Sequence, residues 1–234
     1  ERLVMKWIFD VDGTLTPSRS KMDSEFQEYF LEFAKTHQVY LATGSDYPKT
    51  VEQIGSEICE TVKACYNCSG NSIWVAGKEV YSADWELPEL ARYFLESCLY
   101  ESKFNIRTGT HIEERPGMVN YSTIGRNCTQ EERSQYVLFD KEFNERHTIA
   151  DSFNTMFPDL EAKVGGDTGI DIFPKGLDKS QIAQHIKGAA IFFGDKMMPG
   201  GNDRPLAEQI VKRFGGRAIE VKDWNDTWKR MKTI

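Results

Sequence analysis

The sequence of 234 residues has few cysteines, no long apolar run and no block of basic residues. No apolar segment approaches the roughly 20 residues that a membrane-spanning helix needs, so we expect no membrane association. The formal net charge is −7 without clusters of like charge, which gives no electrostatic basis for binding nucleic acid. The first ten residues lack a basic segment followed by an apolar stretch, so we expect no signal peptide.

The five cysteines are odd in number and irregularly spaced, which argues against a disulfide framework. Cys65 and Cys68 form a CxxC pair, but a structural zinc site needs a second pair that the sequence lacks. We interpret this pair as part of a buried strand, ACYNC, and expect a reduced, cytoplasmic protein.

Both ends of the chain alternate apolar strands with amphipathic helices. Residues 3–9 (LVMKWIF) and 38–43 (QVYLAT) are continuous apolar runs, typical of buried parallel strands. Between them, 23–36 has helical spacing of its apolar residues with Asp23 as the expected N-cap, and 47–58 is a further predicted helix. The alternation returns later, with a helix at 178–187, a strand at 189–195, a helix after PGGND, a strand at 217–221 and a helix at 223–233.

The middle of the chain has a different pattern. A predicted hairpin at 72–81 precedes a helix at 86–100, and short alternating strands then occur beside two helices, at 129–139 and 142–157. Such runs are typical of an α+β unit with an antiparallel sheet. We therefore predict an α/β protein whose parallel-sheet core comprises 1–82 and 178–234, with an inserted α+β cap domain at 83–177.

Two aspartates, Asp10 and Asp12, follow the first predicted strand in the stretch FDVDGT. Ligands of open α/β sheets bind at the carboxyl ends of strands, so both carboxylates are candidate site residues. One carboxylate of such a pair can attack a substrate while the other donates or accepts a proton. A solvated Asp/Gly turn is the alternative interpretation of the same spacing.

Further polar residues fall at the ends of other core elements. Thr43 follows the second strand in ATGSD, where hydroxyls and backbone N–H groups precede a helix and suit an anion. Lys179 opens a helix, where its charge is unfavourable unless it serves a site. Asp195 follows a third buried strand, and Asp203 is either a site residue or a helix N-cap. A magnesium ion that is held by few carboxylates and keeps several waters suits this set.

These residues resemble the four motifs of the haloacid dehalogenase-like superfamily, namely DxDGT at 10–14, the hydroxyl of Thr43, Lys179, and the GD…ND pattern with Asp195 and Asp203. The resemblance implies that Asp10 attacks a phosphoryl group and becomes an aspartyl phosphate. Asp12 would then be the general acid and base, while Thr43 and Lys179 would hold phosphoryl oxygens.

The same resemblance implies a Mg²⁺ site. The metal would bind Asp10, the backbone carbonyl of Asp12, and Asp195, with Asp203 as an outer or weaker ligand. Charge neutralisation and in-line positioning are what phosphoryl transfer chiefly requires.

Within that superfamily the chain resembles the eukaryotic-type phosphomannomutases over nearly its whole length. The resemblance is close in FDVDGTLTPSR (9–19), GSDYPKTVEQIG (44–55), SGNSIWVAGKEVY (69–81), ERPGMVNYSTIGRNCTQEER (114–133) and FFGDKMMPGGND (192–203). It implies that the sugar phosphate distal to the nucleophile is bound by Arg19, Arg115, Asn120, Arg126 and Arg133. By the same resemblance, Asp171 binds sugar hydroxyls.

Arginine suits phosphate independently of any family, because its planar fork matches phosphate oxygens. The alternative is that Arg115, Arg126 and Arg133 are surface residues paired to nearby glutamates, among them Glu113, Glu114, Glu131 and Glu132. The spacing of the sequence leaves both interpretations open.

The resemblance implies interconversion of mannose 6-phosphate and mannose 1-phosphate through the aspartyl phosphate and a hexose 1,6-bisphosphate, which also serves as activator. Its partners would be hexose phosphates and, since the family commonly pairs through its caps, a second copy of the chain. The sequence does not separate mannose from glucose phosphates.

The chain also departs from the family. Gly169 stands where the family places a serine against the sugar phosphate, and Lys175 stands where an acid is common. Thr168 is adjacent to Gly169, but neighbours on a strand face opposite ways. A sugar-phosphate phosphatase is therefore the alternative activity. A non-catalytic binding protein is a third hypothesis, against which Asp10, Asp12, Lys179 and Asp195 are all present.

Overall fold

The computed structural model describes residues 4–234 of the chain. Its strands are β1 Lys6–Phe9, β2 Gln38–Ala42, β3 Ala64–Asn67, β4 Ser72–Val75, β5 Lys78–Ser82, β6 Ile112–Arg115, β7 Met118–Tyr121, β8 Leu160–Gly165, β9 Gly169–Pro174, β10 Ala190–Gly194 and β11 Arg217–Glu220. Its α-helices are α1 Ser24–Thr36, α2 Tyr47–Ile54, α3 Ser56–Thr61, α4 Glu89–Glu101, α5 Gln130–Phe143, α6 Glu145–Met156, α7 Arg204–Val211 and α8 Trp224–Met231. Short 3₁₀ segments cover Cys68–Gly70 and Lys179–Gln184.

The chain divides into two compact units. One comprises the chain up to Ala83 together with Leu177–Ile234, and the other comprises Asp84–Gly176. The first unit carries a mainly parallel sheet and the second carries a separate antiparallel sheet, which confirms the predicted fold class. No helix in the described part of the chain has the length and apolar character needed to cross a membrane.

The sheet of the first unit has the strand order β11-β10-β1-β2-β3-β4-β5. The strands from β11 to β3 pair in parallel, and the hairpin β4–β5 adds two antiparallel strands at one edge. Strand β1 lies between β2 and β10, with Lys6 beside Gln38 and Ala190. This central position brings the carboxyl ends of three parallel strands to one edge of the sheet.

Both faces of this sheet are buried at β1, where successive side chains enter different clusters. Trp7 and Phe9 pack with Phe26 and Phe30 of α1 on one face. Ile8 packs on the other face in a cluster that includes Leu206 and Ile210 of α7. The side chain of Asp23 accepts a hydrogen bond from the backbone N–H of Phe26, which confirms Asp23 as the N-cap of α1.

The structure corrects some predicted boundaries. The helix predicted at 47–58 is two helices, because Gly55 between them has a φ of 89°. The helix predicted at 178–187 is a 3₁₀ segment that ends at Gln184. The strand predicted from residue 3 begins at Lys6, and Leu3 itself lies outside the described residues.

The second unit is an antiparallel sheet in the order β6-β7-β9-β8, with helices packed against one face. Val119 and Tyr121 of β7 and Ile170 and Ile172 of β9 point into a core shared with α4 and α6. Because side chains alternate along a strand, the intervening residues of β7 and β9 belong to the opposite face. This opposite face carries Asn120 and Asp171, two of the predicted substrate-binding residues.

Candidate active site

Four charged side chains of the core come together beside the ends of two parallel strands, β1 and β10. Asp10 follows β1, and its backbone N–H donates to the carbonyl oxygen of Phe193 on β10. Asp195 follows β10, and carboxylate oxygens of Asp10, Asp195 and Asp203 lie within 4.8 Å of one another. Lys179 completes the group from the 3₁₀ segment. The motif residues that are scattered over the sequence are therefore neighbours in this unit.

Lys179 connects two of these carboxylates. Its Nζ atom donates to Oδ1 of Asp10 and to Oδ1 of Asp203, both at 2.7 Å, and its side chain is 1% exposed. Burial would lower the pKa of Lys179, but the charges of Asp10 and Asp203 raise it overall. The lysine therefore stays protonated. Its two carboxylate partners offset the cost of burying this cation.

Asp203 precedes α7 but does not act as a side-chain cap of that helix. Its Oδ2 atom accepts hydrogen bonds from the backbone N–H groups of Asp195 and Lys196, each at 3.1 Å. Together with the bond from Lys179, both of its oxygens are engaged. The geometry thus favours a role in holding the loop after β10 over the N-cap alternative.

Burial raises the pKa of Asp10 well above its usual range, and the nearby charge of Asp203 adds to this while Lys179 opposes it. Burial and Asp203 likewise raise the pKa of Asp195 to about 6. The ionised forms of these acids are disfavoured because three carboxylates share one lysine in a buried site.

The residues present fit a divalent cation. Two formal negative charges remain after Lys179 offsets one of three carboxylates, and carboxylate oxygens are the ligands that Mg²⁺ prefers. Gly13, with a φ of 76°, allows Asp195 to approach, since a Cβ there would collide with its carboxylate. Asp10 and Asp195 are the residues that would hold the metal directly.

Asp12 is half-buried and is oriented by three donors. The backbone N–H of Arg19 and Nε2 of Gln53 donate to its Oδ1 at 2.7 and 2.6 Å, and Ser45 Oγ lies 3.5 Å from Oδ2. Arg19 has a φ of 57°, an unusual conformation for a residue other than glycine, so the backbone is turned toward Asp12. Its carboxylate is held differently from that of Asp10, without contact to Lys179 in the hydrogen bonds of the described residues.

Thr43 is buried at the end of β2, and its Oγ1 accepts a hydrogen bond from the backbone N–H of Ser45 at 3.1 Å. Its carbonyl oxygen accepts from Ser69, which ties the loop after β2 to the end of β3. The expected phosphoryl-binding hydroxyl is therefore at a strand end, in a loop whose shape is fixed by backbone bonds.

In the second unit, Asn120 and Asp171 are cross-strand partners on the polar face of the sheet. Asn120 Nδ2 donates to Oδ1 of Asp171 at 2.8 Å, and Arg126 Nη1 donates to Oδ1 of Asn120 at 3.4 Å. These two bonds use both ends of the Asn120 amide, so its side chain links Arg126 to Asp171.

Glu113 on β6 pairs with two of the cap arginines. Its carboxylate accepts from Nε and Nη2 of Arg115, both at 3.3 Å, and lies 2.6 Å from Nε of Arg126. Although burial raises the pKa of Glu113, the charges and hydrogen bonds of Arg115 and Arg126 lower it overall. The pairing anticipated in the surface alternative therefore exists, and it gathers both arginines beside Asn120.

Arg133 does not pair with the glutamates next to it in the sequence. Its Nε and Nη2 atoms donate to Oδ2 of Asp167 at 3.3 and 3.1 Å. Glu132 instead completes the capping box at the start of α5, where it accepts from the backbone N–H of Thr129. The partner of Arg133 is therefore Asp167, in the turn between β8 and β9, and not a neighbouring glutamate.

That turn is held by a second arginine. Arg146 Nη1 donates to the carbonyl oxygens of Gly165, Gly166 and Gly169, and its Nε donates to Asp140 at 2.8 Å. Asp140 is buried, so this ion pair is a fixed support for the start of β9.

Gly169 and Lys175, where the chain departs from the family, and the adjacent Thr168 have distinct surroundings. A Cβ at Gly169 would lie 2.6 Å from Nδ2 of Asn120, so the Asn120 amide fills the space of a side chain there. Thr168 is buried, with 1% of its surface exposed. Lys175 is exposed beyond β9.

Sequence reasoning missed Gln53, Glu113 as an organiser, Asp167 and Arg146. Gln53 has a signal in retrospect, because it shares the buried face of α2 with Thr50 and Ile54, where a polar side chain is unexpected. Its Oε1 atom is buried without a hydrogen-bond partner in the described part of the chain. Asp167 gives no such signal, since an acid in a Gly-rich turn is ordinary.

Solved structures share this fold. The chain resembles a haloacid dehalogenase-like hydrolase from Bacteroides thetaiotaomicron (TM-score 0.60, 13% identity, 98% of this chain and 99% of that one). It also resembles the C-terminal domain of trehalose-6-phosphate phosphatase from C. albicans (TM-score 0.63, 15% identity, 90% of this chain and 74% of that one). The fold is thus of the haloacid dehalogenase-like class.

The sequence comparisons narrow this class. The family model described as eukaryotic phosphomannomutase matches residues 26–234. The phosphomannomutase of Saccharomyces cerevisiae is 35% identical over 92% of this chain and 89% of its own length. The phosphomannomutase of Galdieria sulphuraria is 36% identical over 92% and 90%. This chain belongs to the eukaryotic phosphomannomutase family.

Proposed function

We propose that this chain interconverts mannose 6-phosphate and mannose 1-phosphate by phosphoryl transfer through Asp10. The observation that carries the proposal is the pairing of Asp10 with protonated Lys179 in a buried acidic cluster, on a chain that belongs to this family. The relatives' printed names and the arginines of the second unit support the choice of a sugar phosphate as substrate.

In the proposed reaction, a carboxylate oxygen of Asp10 attacks a phosphorus atom of a hexose 1,6-bisphosphate. The bond from phosphorus to the sugar oxygen breaks, and that oxygen takes a proton from Asp12. The phosphoryl group is then passed from Asp10 to a hydroxyl of the monophosphate, whose proton returns to Asp12. The donors from Arg19, Gln53 and Ser45 support this role because they orient Asp12.

Two residues of the chain itself contribute to the electrostatic support of the reaction. Lys179 is charged and lies beside the nucleophile, and Thr43 offers a hydroxyl at the neighbouring strand end. Mg²⁺, when bound by Asp10, the Asp12 carbonyl and Asp195, would neutralise negative charge on the transferring phosphoryl group. Asp203 serves chiefly to hold Lys179 and the loop after β10.

The proposed substrate-binding residues are Arg115, Asn120, Arg126, Arg133 and Asp171 of the second unit and Arg19 of the first. A mutase must hold each phosphate group of the bisphosphate in turn, whereas a phosphatase needs one strong site and water. Arginines held by carboxylates on a polar sheet face suit the phosphate that is not reacting. The free cysteines support a cytoplasmic location. We also propose that two copies of the chain pair through the cap.

The test is an assay with mannose 1-phosphate, Mg²⁺ and a catalytic amount of glucose 1,6-bisphosphate. We expect mannose 6-phosphate to form without stoichiometric release of phosphate, and its formation to stop when Mg²⁺ is chelated. Free phosphate without isomerised sugar phosphate would instead establish the sugar-phosphate phosphatase, the alternative that the absence of a hydroxyl at Gly169 keeps open.

A further inference from the structure

We infer that Asp167 is a built-in competitor for the phosphate-binding edge of Arg133, and that it thereby sets the affinity of the cap for sugar phosphates. The inference rests on the proposed function, because it assumes that Arg133 binds a substrate phosphate. It assigns a role to a turn residue that belongs to none of the motifs.

The two partners differ in exposure. The side chain of Arg133 is 11% exposed, whereas that of Asp167 is 63% exposed. Both contacts from Arg133 end on one oxygen, Oδ2 of Asp167. Two parallel bonds to two oxygens are the strong arrangement for a guanidinium, and a phosphate group can offer them. The carboxylate of Asp167 is therefore a weaker partner of Arg133 than a substrate phosphate that replaces it.

The backbones on both sides of this pair are fixed. Arg133 lies in the first turns of α5, whose start is closed by the capping box of Thr129 and Glu132. Asp167 lies in a turn whose flanking carbonyl groups accept hydrogen bonds from Arg146. Arg133 is therefore presented at a constant position, and rotation of the exposed Asp167 side chain alone is enough to open the pair.

Glu113 shows what a permanent partner of the cap arginines looks like. Both of its oxygens are used, it contacts Arg115 and Arg126 together, and these contacts keep its pKa below the usual range despite burial. Asp167 has one oxygen engaged and one arginine partner in the hydrogen bonds of the described residues. Of the two acids, Asp167 is the one that an incoming dianion can displace.

The experiment compares the unmodified chain with its Asp167→Asn variant. The amide removes the competing charge and keeps the size of the side chain. We expect KM for mannose 1-phosphate to fall about two- to fivefold with kcat little changed, the range typical of exposed ion pairs. Calorimetric titration with mannose 1-phosphate should show the same gain in affinity. An unchanged or raised KM would overturn the inference.

Two controls separate competition from a merely structural role. Asp159→Asn removes the same charge from an exposed position at the other end of β8, and it should leave KM unchanged. In an Arg133→Ala background, Asp167→Asn should have no effect on kcat/KM, because the arginine for which it competes is absent. A gain that persists in that background would contradict the inference.

If the pair served only to stabilise the turn, Asp167→Asn would instead lower the melting temperature and raise KM. The proposed function fails separately, because a wild-type chain that forms no mannose 6-phosphate would refute it whatever Asp167 does. An active wild type whose KM does not respond to Asp167→Asn would refute only the competitor role.

Discussion

The two charged clusters of the molecule are opposite in composition and in exposure. In the core, three carboxylates share one lysine, and the paired side chains are at most 6% exposed. In the second unit, the ion pairs of three arginines involve two carboxylates, and exposure ranges from 11% for Arg133 to 63% for Asp167.

This difference indicates two kinds of charge chemistry. The buried cluster has an excess of negative charge, which suits a cation and penalises the loss of its one lysine. In the cluster of the second unit, three arginines pair with two carboxylates, which suits an anion and allows the partners of the arginines to exchange. The following experiments test whether the clusters differ in these ways, from the largest expected effect to the smallest.

Asp10→Asn should abolish formation of mannose 6-phosphate, because the amide cannot serve as the attacking oxygen. We expect a loss of at least about a thousandfold in kcat, measured by a coupled assay. The fold should persist, since Lys179 keeps its bond to Asp203, and the circular dichroism spectrum is the control. Asp10 is 4% exposed, which argues against the alternative interpretation of a solvated Asp/Gly turn at this residue. Substantial residual turnover would refute the mechanism.

Lys179→Met should destabilise the protein strongly, because it leaves buried carboxylates without their cation. Removing one partner of a buried pair typically costs about 3–5 kcal/mol of unfolding free energy. Urea denaturation in the presence of a chelator measures this cost. The matched control is Lys49→Met, which removes the exposed pair with Glu52 and should cost less than about 1 kcal/mol. Equal costs would show that burial does not distinguish the two kinds of ion pair.

The stability of the metal-free protein should respond to pH in opposite senses in the two clusters. The pKa of Asp195 is raised from 3.8 to about 6 in the folded protein. Ionised Asp195 therefore lowers the free energy of unfolding, and this loss develops as pH rises through that window. Asp195→Asn should therefore stabilise the metal-free protein by about 2–3 kcal/mol above pH 6 and have little effect near pH 4. Glu113 has a lowered pKa, so Glu113→Gln should destabilise at pH 7, with the effect fading as pH falls below 4.

Melting curves of the two variants with a chelator, from about pH 3 to pH 8, make this measurement. If Asp195→Asn destabilised the metal-free protein at pH 7, the proposed excess of buried negative charge would be wrong. Added Mg²⁺ should raise the melting temperature of the wild type more than that of Asp195→Asn.

Arg126→Ala should weaken binding of the sugar phosphate by about 1.5–3 kcal/mol, the range for hydrogen bonds to charged groups. The measured quantity is kcat/KM for mannose 1-phosphate. Arg92→Ala removes another arginine of the same unit, one that pairs with exposed Glu114, and should leave kcat/KM unchanged. If Arg126→Ala behaves like Arg92→Ala, Arg126 is a surface-pair residue as in the alternative interpretation.

The sequence was informative where a residue's role follows from its place on an element. Asp10, Thr43 and Asp195 stand at the ends of apolar strands, and the edge of a parallel sheet brings such positions together. The fold class was predictable for the same reason, because continuous and alternating apolar patterns separate the two kinds of sheet. The role of Gly55 as a break between two helices was missed, since a single glycine is also tolerated within one helix.

Contacts between distant segments were not predictable for side chains outside the strand ends. Gln53 follows Asp12 by 41 residues and reaches it only because α2 packs beside the loop after β1. Arg133 bonds to Asp167, 34 residues away, rather than to its neighbours in QEER. Such pairings depend on how whole elements pack, and local propensity carries no information about them.

The position of β1 between β2 and β10 also governs the order in which the protein can be assembled. Asp10 and Lys179 are 169 residues apart, and the whole of the second unit lies between them in the chain. On the ribosome, Asp10 emerges early, while Lys179 and the strand that covers the open edge of β1 emerge late. The continuous unit Asp84–Gly176 is complete before then. A chain truncated before Lys179 therefore exposes the open edge of β1 and lacks the cation beside Asp10, so the same late segment completes the acidic cluster and protects that edge from aggregation.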